Sequence, residues 1–221
     1  MSREAAGRSI VEQHREEIVD AAERCVRERG LHQLKLRDIA RESGKSLGTL
    51  YNYFQNKEAI VEALVERQTE RFIAVATSIT EPVPGESQEE RITREVSSLV
   101  DAYMDAEAMR VSISIASEAL VNPRVFEIHN AANRRICDYV INLFRSNSKC
   151  GPSGGTDEEV EASFVIVRAF LEGMRGAIVF NPGLDREIIR SFMIERLTVL
   201  WHWDIAKVSG KTIQDVFGPL D

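Results

Sequence analysis

Apolar residues recur along this chain at intervals of three and four, the period of an α-helix with one buried face. From Ser9 to Arg29 there is no glycine or proline, and Ile18, Ala22, Cys25 and Val26 share one face until Gly30 stops the run. A short helix is expected over 36–43, with Leu36, Ile39 and Ala40 inward and Gly44 just past its end, where a left-handed residue is favoured. Residues 46–54 make a third, and Asn56, Lys57 and Glu58 open a long helix reaching about Ile79. The stretch "TEPVPGES" (80–87) reads as a linker, and Ser87 with Glu90 has the spacing of a capping box. Further helices are expected over 88–106, 108–121, 123–146, 157–180 and 185–207. Asn122-Pro123, the loop "NSKCGPSGGT" (147–156) and Asn181-Pro182-Gly183 separate them, and Thr156 with Glu159 repeats the capping-box spacing. No alternating strand pattern or repeat intervenes. The expected fold is all-α: three short helices in front, then five or six longer ones.

The third helix poses a question. "GKSLGTLYNYFQNKE" (44–58) carries an interior glycine, Gly48, and three rings at Tyr51, Tyr53 and Phe54. Interior glycine costs a helix about 1 kcal/mol relative to alanine. Two short helices joined by a tight turn at Gly44, the second opening on small and polar residues, form a helix-turn-helix arrangement. Leu50 and Phe54, four apart, are placed to pack on Ile18, Ile39 and Ala40. That turns Lys45, Ser46, Leu47, Gly48, Thr49, Asn52 and Tyr53 outward. A glycine on such a face lets the helix approach a groove wall or phosphate. Thr49, Tyr51 and Tyr53 can donate hydroxyl hydrogens to phosphate oxygens, and Lys57 adds a cation beside a positive helix end. The alternative is one corner of a helical bundle with half-buried tyrosines.

The run "LRDIARESGKSLGTLYNYFQNKEAI" (36–60) resembles the DNA-binding signature of the TetR family of bacterial transcription regulators. The matching positions are Ile39, Ala40, Gly44, Ser46, Gly48, Leu50, Tyr51, Tyr53, Phe54, Lys57 and Glu58. The motif covers about the first 60 residues; the rest agrees in helix count and length. The resemblance implies an N-terminal three-helix DNA-binding domain (1–56) and a larger C-terminal helical domain for ligand binding and dimerisation (57–221). It places Arg37, Ser46, Leu47, Thr49, Tyr51, Asn52, Tyr53 and Lys57 against double-stranded operator DNA. Ser46, Leu47 and Thr49 are the expected readers of base edges; Arg37, Tyr51, Tyr53 and Lys57 are the expected phosphate anchors. Leu36 stands where a threonine commonly caps the second helix and touches phosphate, so that contact is expected to be missing. Ser43 and Lys45 replace small apolar residues of the turn, and Lys45 is a candidate additional DNA contact.

The net charge of −7 argues against a nucleic-acid partner until it is divided along the chain. Residues 1–60 balance to +1 and the remainder to −8, so an anion-binding surface belongs to the first quarter. Cys25, Cys137 and Cys150 are odd in number and lack CxxC spacing, as suits free thiols in a reducing cytoplasm. No apolar run reaches signal-peptide or transmembrane length, and a cytoplasmic protein with no membrane partner is expected. There is no GxSxG, P-loop, HExxH or Glu-x-x-His pair, and His14, His32, His129 and His202 are scattered. Neither an enzyme, a metal site nor a cofactor is expected.

The helix 157–180 carries an apolar stripe at Val160, Phe164, Val167, Leu171, Met174 and Ile178, and a second at Ser163, Ile166, Phe170, Gly173 and Ala177. Two apolar faces need two surfaces to bury against, the helix's own domain and a partner copy. A large monomer interior is the alternative. The resemblance implies a homodimer through the last two long helices (157–180 and 185–207). It further implies a one-component regulator, by family tendency a repressor released by a small-molecule inducer. Arg168 is the only charge in "ASFVIVRAFL" (162–171), as Glu118 is in "VSISIASEALVN" (111–122). Such charges are costly to bury unless paired or used. Either they pair with each other or reach water, or they line an effector cavity with Met104, Ser112, Phe126 and His129.

Overall fold

The computed structural model describes residues 3–81, 83–146, 156–181 and 183–208. Among these, nine helices follow in chain order: α1 (Arg3–Arg29), α2 (Leu36–Glu42), α3 (Leu47–Tyr53), α4 (Lys57–Thr80), α5 (Gln88–Tyr103), α6 (Ala106–Ala119), α7 (Pro123–Ser146), α8 (Asp157–Phe180) and α9 (Arg186–Val208). The described residues contain no strand. Most ends fall within two or three residues of expectation. The first helix does not: it starts at Arg3 and runs 27 residues, so it is not short. Its early turns are rich in charge and carry no apolar period, which is why the pattern hid them. Cys150, the Glu159 half of the second capping box, the side chain of Val160 and that of His202 lie outside what is described.

Local chemistry fixes the breaks. Gly30 (φ +79°) and Gly44 (φ +67°) take the left-handed conformation that ends α1 and α2. Ser87 and Glu90 form the reciprocal capping box at the start of α5. At α3, Ser46 accepts the Thr49 amide at 2.9 Å. By contrast α2 begins at Lys35 without a side-chain cap.

The chain divides into two compact units: Met1–Glu70 with Glu107–Asn133, and Arg71–Ala106 with Arg134–Asp221. Residue 56 therefore falls inside the first unit. The physical reason lies in its core. Ile18, Ala22, Val26, Ile39, Leu50 and Phe54 are buried together with Ile60, Val61 and Leu64 of α4, and with Val111, Ile115 and Val125 of α6 and α7. Three helices of this size make a marginal core, and α4, α6 and α7 enlarge it. Arg67 on α4 adds a polar clasp, donating to Asp20 (2.5 Å), Glu23 (3.3 Å) and Glu16 of α1.

The second unit has its own core, with Ile92, Val96, Val100 and Tyr103 of α5 buried beside Val167 and Leu171 of α8 and Met193 and Leu197 of α9. Arg190 clamps α9 to α5 through a bidentate pair with Asp101 (2.6 and 2.8 Å). That pair holds the Asp101 carboxyl below its ordinary range.

A side chain at Gly44 would meet nothing within 4 Å, so only its backbone conformation resists substitution. Gly44→Ala is expected to lower stability by about 1–2 kcal/mol in urea titration, the cost of a left-handed alanine.

Candidate DNA-binding surface

The surface is built on α3 and the turn before it. Leu50 and Phe54 point inward and are buried, as their spacing required. Ser46, Gly48, Tyr51 and Asn52 are exposed, Thr49 is partly so, and Arg37 on α2 is exposed beside them. At Gly48 an added Cβ would meet only Ser46 Oγ, at 3.7 Å, so nothing within the chain needs a glycine there. Ser46 Oγ also lies 2.8 Å from Thr49 Oγ1, so both hydroxyls already serve the helix start.

Three of the ten expected residues are less open than the pattern implied. Leu47 and Tyr53 are partly buried and pack against the first unit's core. The Tyr53 hydroxyl lies 3.0 Å from His14 Nδ1 on α1, with the two rings edge to face. Lys45 is only 13% exposed and its ammonium sits 2.7 Å from Glu17 Oε2, also on α1. The Lys45 hydrogen bond holds the Glu17 carboxyl below its usual range. Lys57 donates to the Leu31 carbonyl at 2.9 Å, inside the first unit. Thus α1 grips the reading helix at two points that sequence reasoning missed. The signal existed: His14 stands four residues before Ile18, on the same inward face.

The expected effector residues do not form one group within either unit. Ser112, Glu118, Phe126 and His129 belong to the first unit, Met104 and Arg168 to the second. Glu118 lies 3.4 Å from His32 Nδ1, so within its own unit it has a partner other than Arg168. Ser112 Oγ donates to Ala108 O of its own helix. Phe126 is exposed, His129 half-buried, and Met104 packs on the second core. No helix among the described residues is long and apolar enough to cross a membrane.

A helix-turn-helix whose second helix offers a side-chain-free centre flanked by hydroxyls, amides and an exposed arginine is a reader of double-stranded DNA. The comparisons agree. Residues 18–64 match the sequence profile of bacterial regulatory proteins, tetR family. The HTH-type transcriptional regulator BetI of Escherichia coli (strain SE11) is 24% identical over 180 residues, covering 80% of this chain and 88% of that protein. Two solved structures share the fold. FadR of Bacillus subtilis in complex with stearoyl-CoA has a TM-score of 0.64 at 22% identity, covering 82% of this chain and 96% of its own. A transcriptional regulator of Saccharomonospora viridis in complex with choline has a TM-score of 0.63 at 20% identity, covering 83% and 95%. The chain is a DNA-binding transcriptional regulator. Its residues 18–64 are those of the TetR-family DNA-binding domain; regulators of that family bind operator DNA, form dimers and bind small-molecule ligands, and it is not a family of enzymes.

Two substitutions probe this surface in opposite directions. Gly48→Glu places bulk and negative charge at the centre of this exposed face. It is expected to abolish DNA retention in a gel while leaving the circular dichroism spectrum intact. Glu17→Gln releases the Lys45 ammonium from its carboxylate. It is expected to tighten DNA binding severalfold at low salt and to steepen the salt dependence by about one counterion.

Proposed function

We propose that this chain acts in the cytoplasm as a homodimeric repressor that is released from its operator by a small-molecule effector. In this reading residues 1–56 carry the DNA contacts, and 57–221 carry dimerisation and effector binding. Arg37 and the hydroxyls of Tyr51 and Tyr53 anchor phosphates, while Ser46, Leu47 and Thr49 lie nearest the base edges. Lys45 and Lys57 join them when DNA phosphates replace their present acceptors.

The observation that carries the dimer is apolar surface left facing water. On α8, Ile166 is 60% exposed, and Gly173 and Phe180 continue the same stripe; on α9, Phe192 is 53% exposed between Ile188 and Val199. Gly173 and Gly176 have open space where a Cβ would stand, so their smallness is not required by the chain's own packing. Exposed apolar stripes rich in small residues fit a close helix-to-helix approach by a second copy. Met104 and Arg168 are candidates for the effector site in the second unit, with α4 as a continuous helix running from one unit into the other. The ligands of the choline-bound and stearoyl-CoA-bound structures support an effector of some kind without fixing its chemistry.

A DNA fragment carrying the region upstream of this protein's own gene should be retarded by the purified protein, and transcription from it in vitro should fall. A rise in transcription instead would favour an activator of the same fold. Phe192→Glu and Ile166→Glu should each convert the dimer to a monomer on size-exclusion chromatography and weaken operator binding at least tenfold, because one half-site is then read alone. A Phe192→Glu protein that stays dimeric would move the interface elsewhere.

A further inference from the structure

In the second unit Arg175 is buried with only a long ion pair, to Glu172 at 3.5 Å. The Arg175 side chain, on α8, is only 9% exposed. Its guanidinium lies over the Tyr103 ring, with Cζ 4.6 Å from the centroid. Both of its hydrogen bonds are long: Nε donates to the Tyr103 carbonyl at 3.5 Å and Nη1 to Glu172 Oε2 at 3.5 Å. Among the described residues Nη2 makes none. Charge-assisted bonds ordinarily run about 2.7–2.9 Å, and a buried charge held only by longer ones keeps much of its desolvation cost.

Tyr103 repeats the pattern. It is 6% exposed, yet its hydroxyl makes no hydrogen bond among the described residues. Burial, assisted by Glu172, pushes its pKa up to about 12. At neutral pH the phenol is therefore a donor. Neither donor is a fully enclosed atom, so the Tyr103 hydroxyl and Arg175 Nη2 stand on one ring where a group arriving from outside can reach both. The surroundings are apolar. Phe72 meets Tyr103 edge to face (centroids 6.3 Å apart) and Phe164 likewise (6.4 Å), and Met174 packs on the same core.

We propose that the second unit binds a carboxylate carried on an apolar body, with Arg175 and the Tyr103 hydroxyl on the carboxylate and Phe72 and Phe164 along the apolar part. The proposal rests on the effector reading above and gives that effector a charge. It departs from the choline-bound neighbour for a physical reason. The aromatic face that would attract a quaternary ammonium is here covered by a guanidinium, and two cations on one ring repel. Arg168, the charge singled out in the sequence, contributes to the positive field on Tyr103 but makes neither of its contacts.

Thermal unfolding of the full-length protein tests this, with acetate, butyrate, hexanoate, octanoate, benzoate and phenylacetate against choline chloride at matched ionic strength. At least one of the longer or aromatic carboxylates should raise Tm saturably, and choline should not. Arg175→Met should weaken that carboxylate at least about tenfold, Arg175→Lys should restore part of the loss, and Tyr103→Phe should weaken it severalfold. If Arg175→Met fails to fold, Tyr103→Phe and Arg175→Lys decide. Stabilisation by choline, a carboxylate shift that ignores all three substitutions, or no shift with any carboxylate would overturn the proposal. A gel with the upstream fragment separates the two readings. A carboxylate bound through Arg175 that leaves DNA retention unchanged keeps this site and overturns its role as effector site. Release by a compound indifferent to Arg175 keeps the effector reading and overturns this one.

Discussion

Leu50, Ile39 and Ile18 leave water because Ile60 and Leu64 of α4, and Val111 and Ile115 of α6, close over them. This shared burial is the constraint on which the DNA-reading part of the molecule depends. At about 25 cal/mol per Å² of apolar surface, the small core of the helix-turn-helix alone leaves little margin over its chain entropy. Its neighbours supply the remainder. The polar contacts follow the same division, since Arg67 ties α4 to three carboxylates of α1 and Ser114 of α6 accepts the Leu31 amide at the loop that leads into α2. The direction in which α3 faces is thereby set by helices outside the helix-turn-helix.

Electrostatics at the reading face are close to neutral by construction. The chain carries −7 overall, and even its first sixty residues hold only one excess cation. Two of the cations nearest α3 are engaged, Lys45 by Glu17 and Lys57 by the Leu31 carbonyl. The Tyr51 hydroxyl, backbone amides and Arg37 are what remain for phosphates, since the Ser46, Thr49 and Tyr53 hydroxyls already have partners. A surface of this kind gives modest affinity for arbitrary DNA, because non-specific binding grows with the number of phosphates neutralised. On the proposed reading, discrimination then rests on fit within the groove, with the bare backbone at Gly48 facing it.

Much of this was legible in the sequence. Period-three-and-four spacing located all nine helices, and glycine, proline and capping chemistry located most of their ends, because those signals are local. The inward pair Leu50 and Phe54 and the exposed Gly48 were readable for the same reason. What the pattern could not supply was pairing over distance. His14 with Tyr53 and Glu17 with Lys45 are 39 and 28 positions apart, and neither residue type announces its partner. The division of the chain was hidden likewise, since α6 joins the first unit only through tertiary packing. Arg168 drew notice as a lone charge in an apolar run, while Arg175, more deeply buried, escaped it because Glu172 stands three residues before it and made the segment read as ordinarily polar.

The loop at Leu31 carries a practical lesson. Its amide meets Ser114 Oγ at 2.6 Å and its carbonyl accepts Lys57 Nζ at 2.9 Å, while its side chain is fully buried. A single residue of the reading head is thus fastened through backbone and side chain to helices encoded after residue 56. The head is not an interchangeable cassette. A chimeric regulator grafted at that point would carry the specificity residues without the acceptor and donor that Leu31 relies on. A transplant that keeps the geometry has to bring the start of α4 and the α6–α7 segment with it, which makes the smallest portable reading module of this protein discontinuous in its gene.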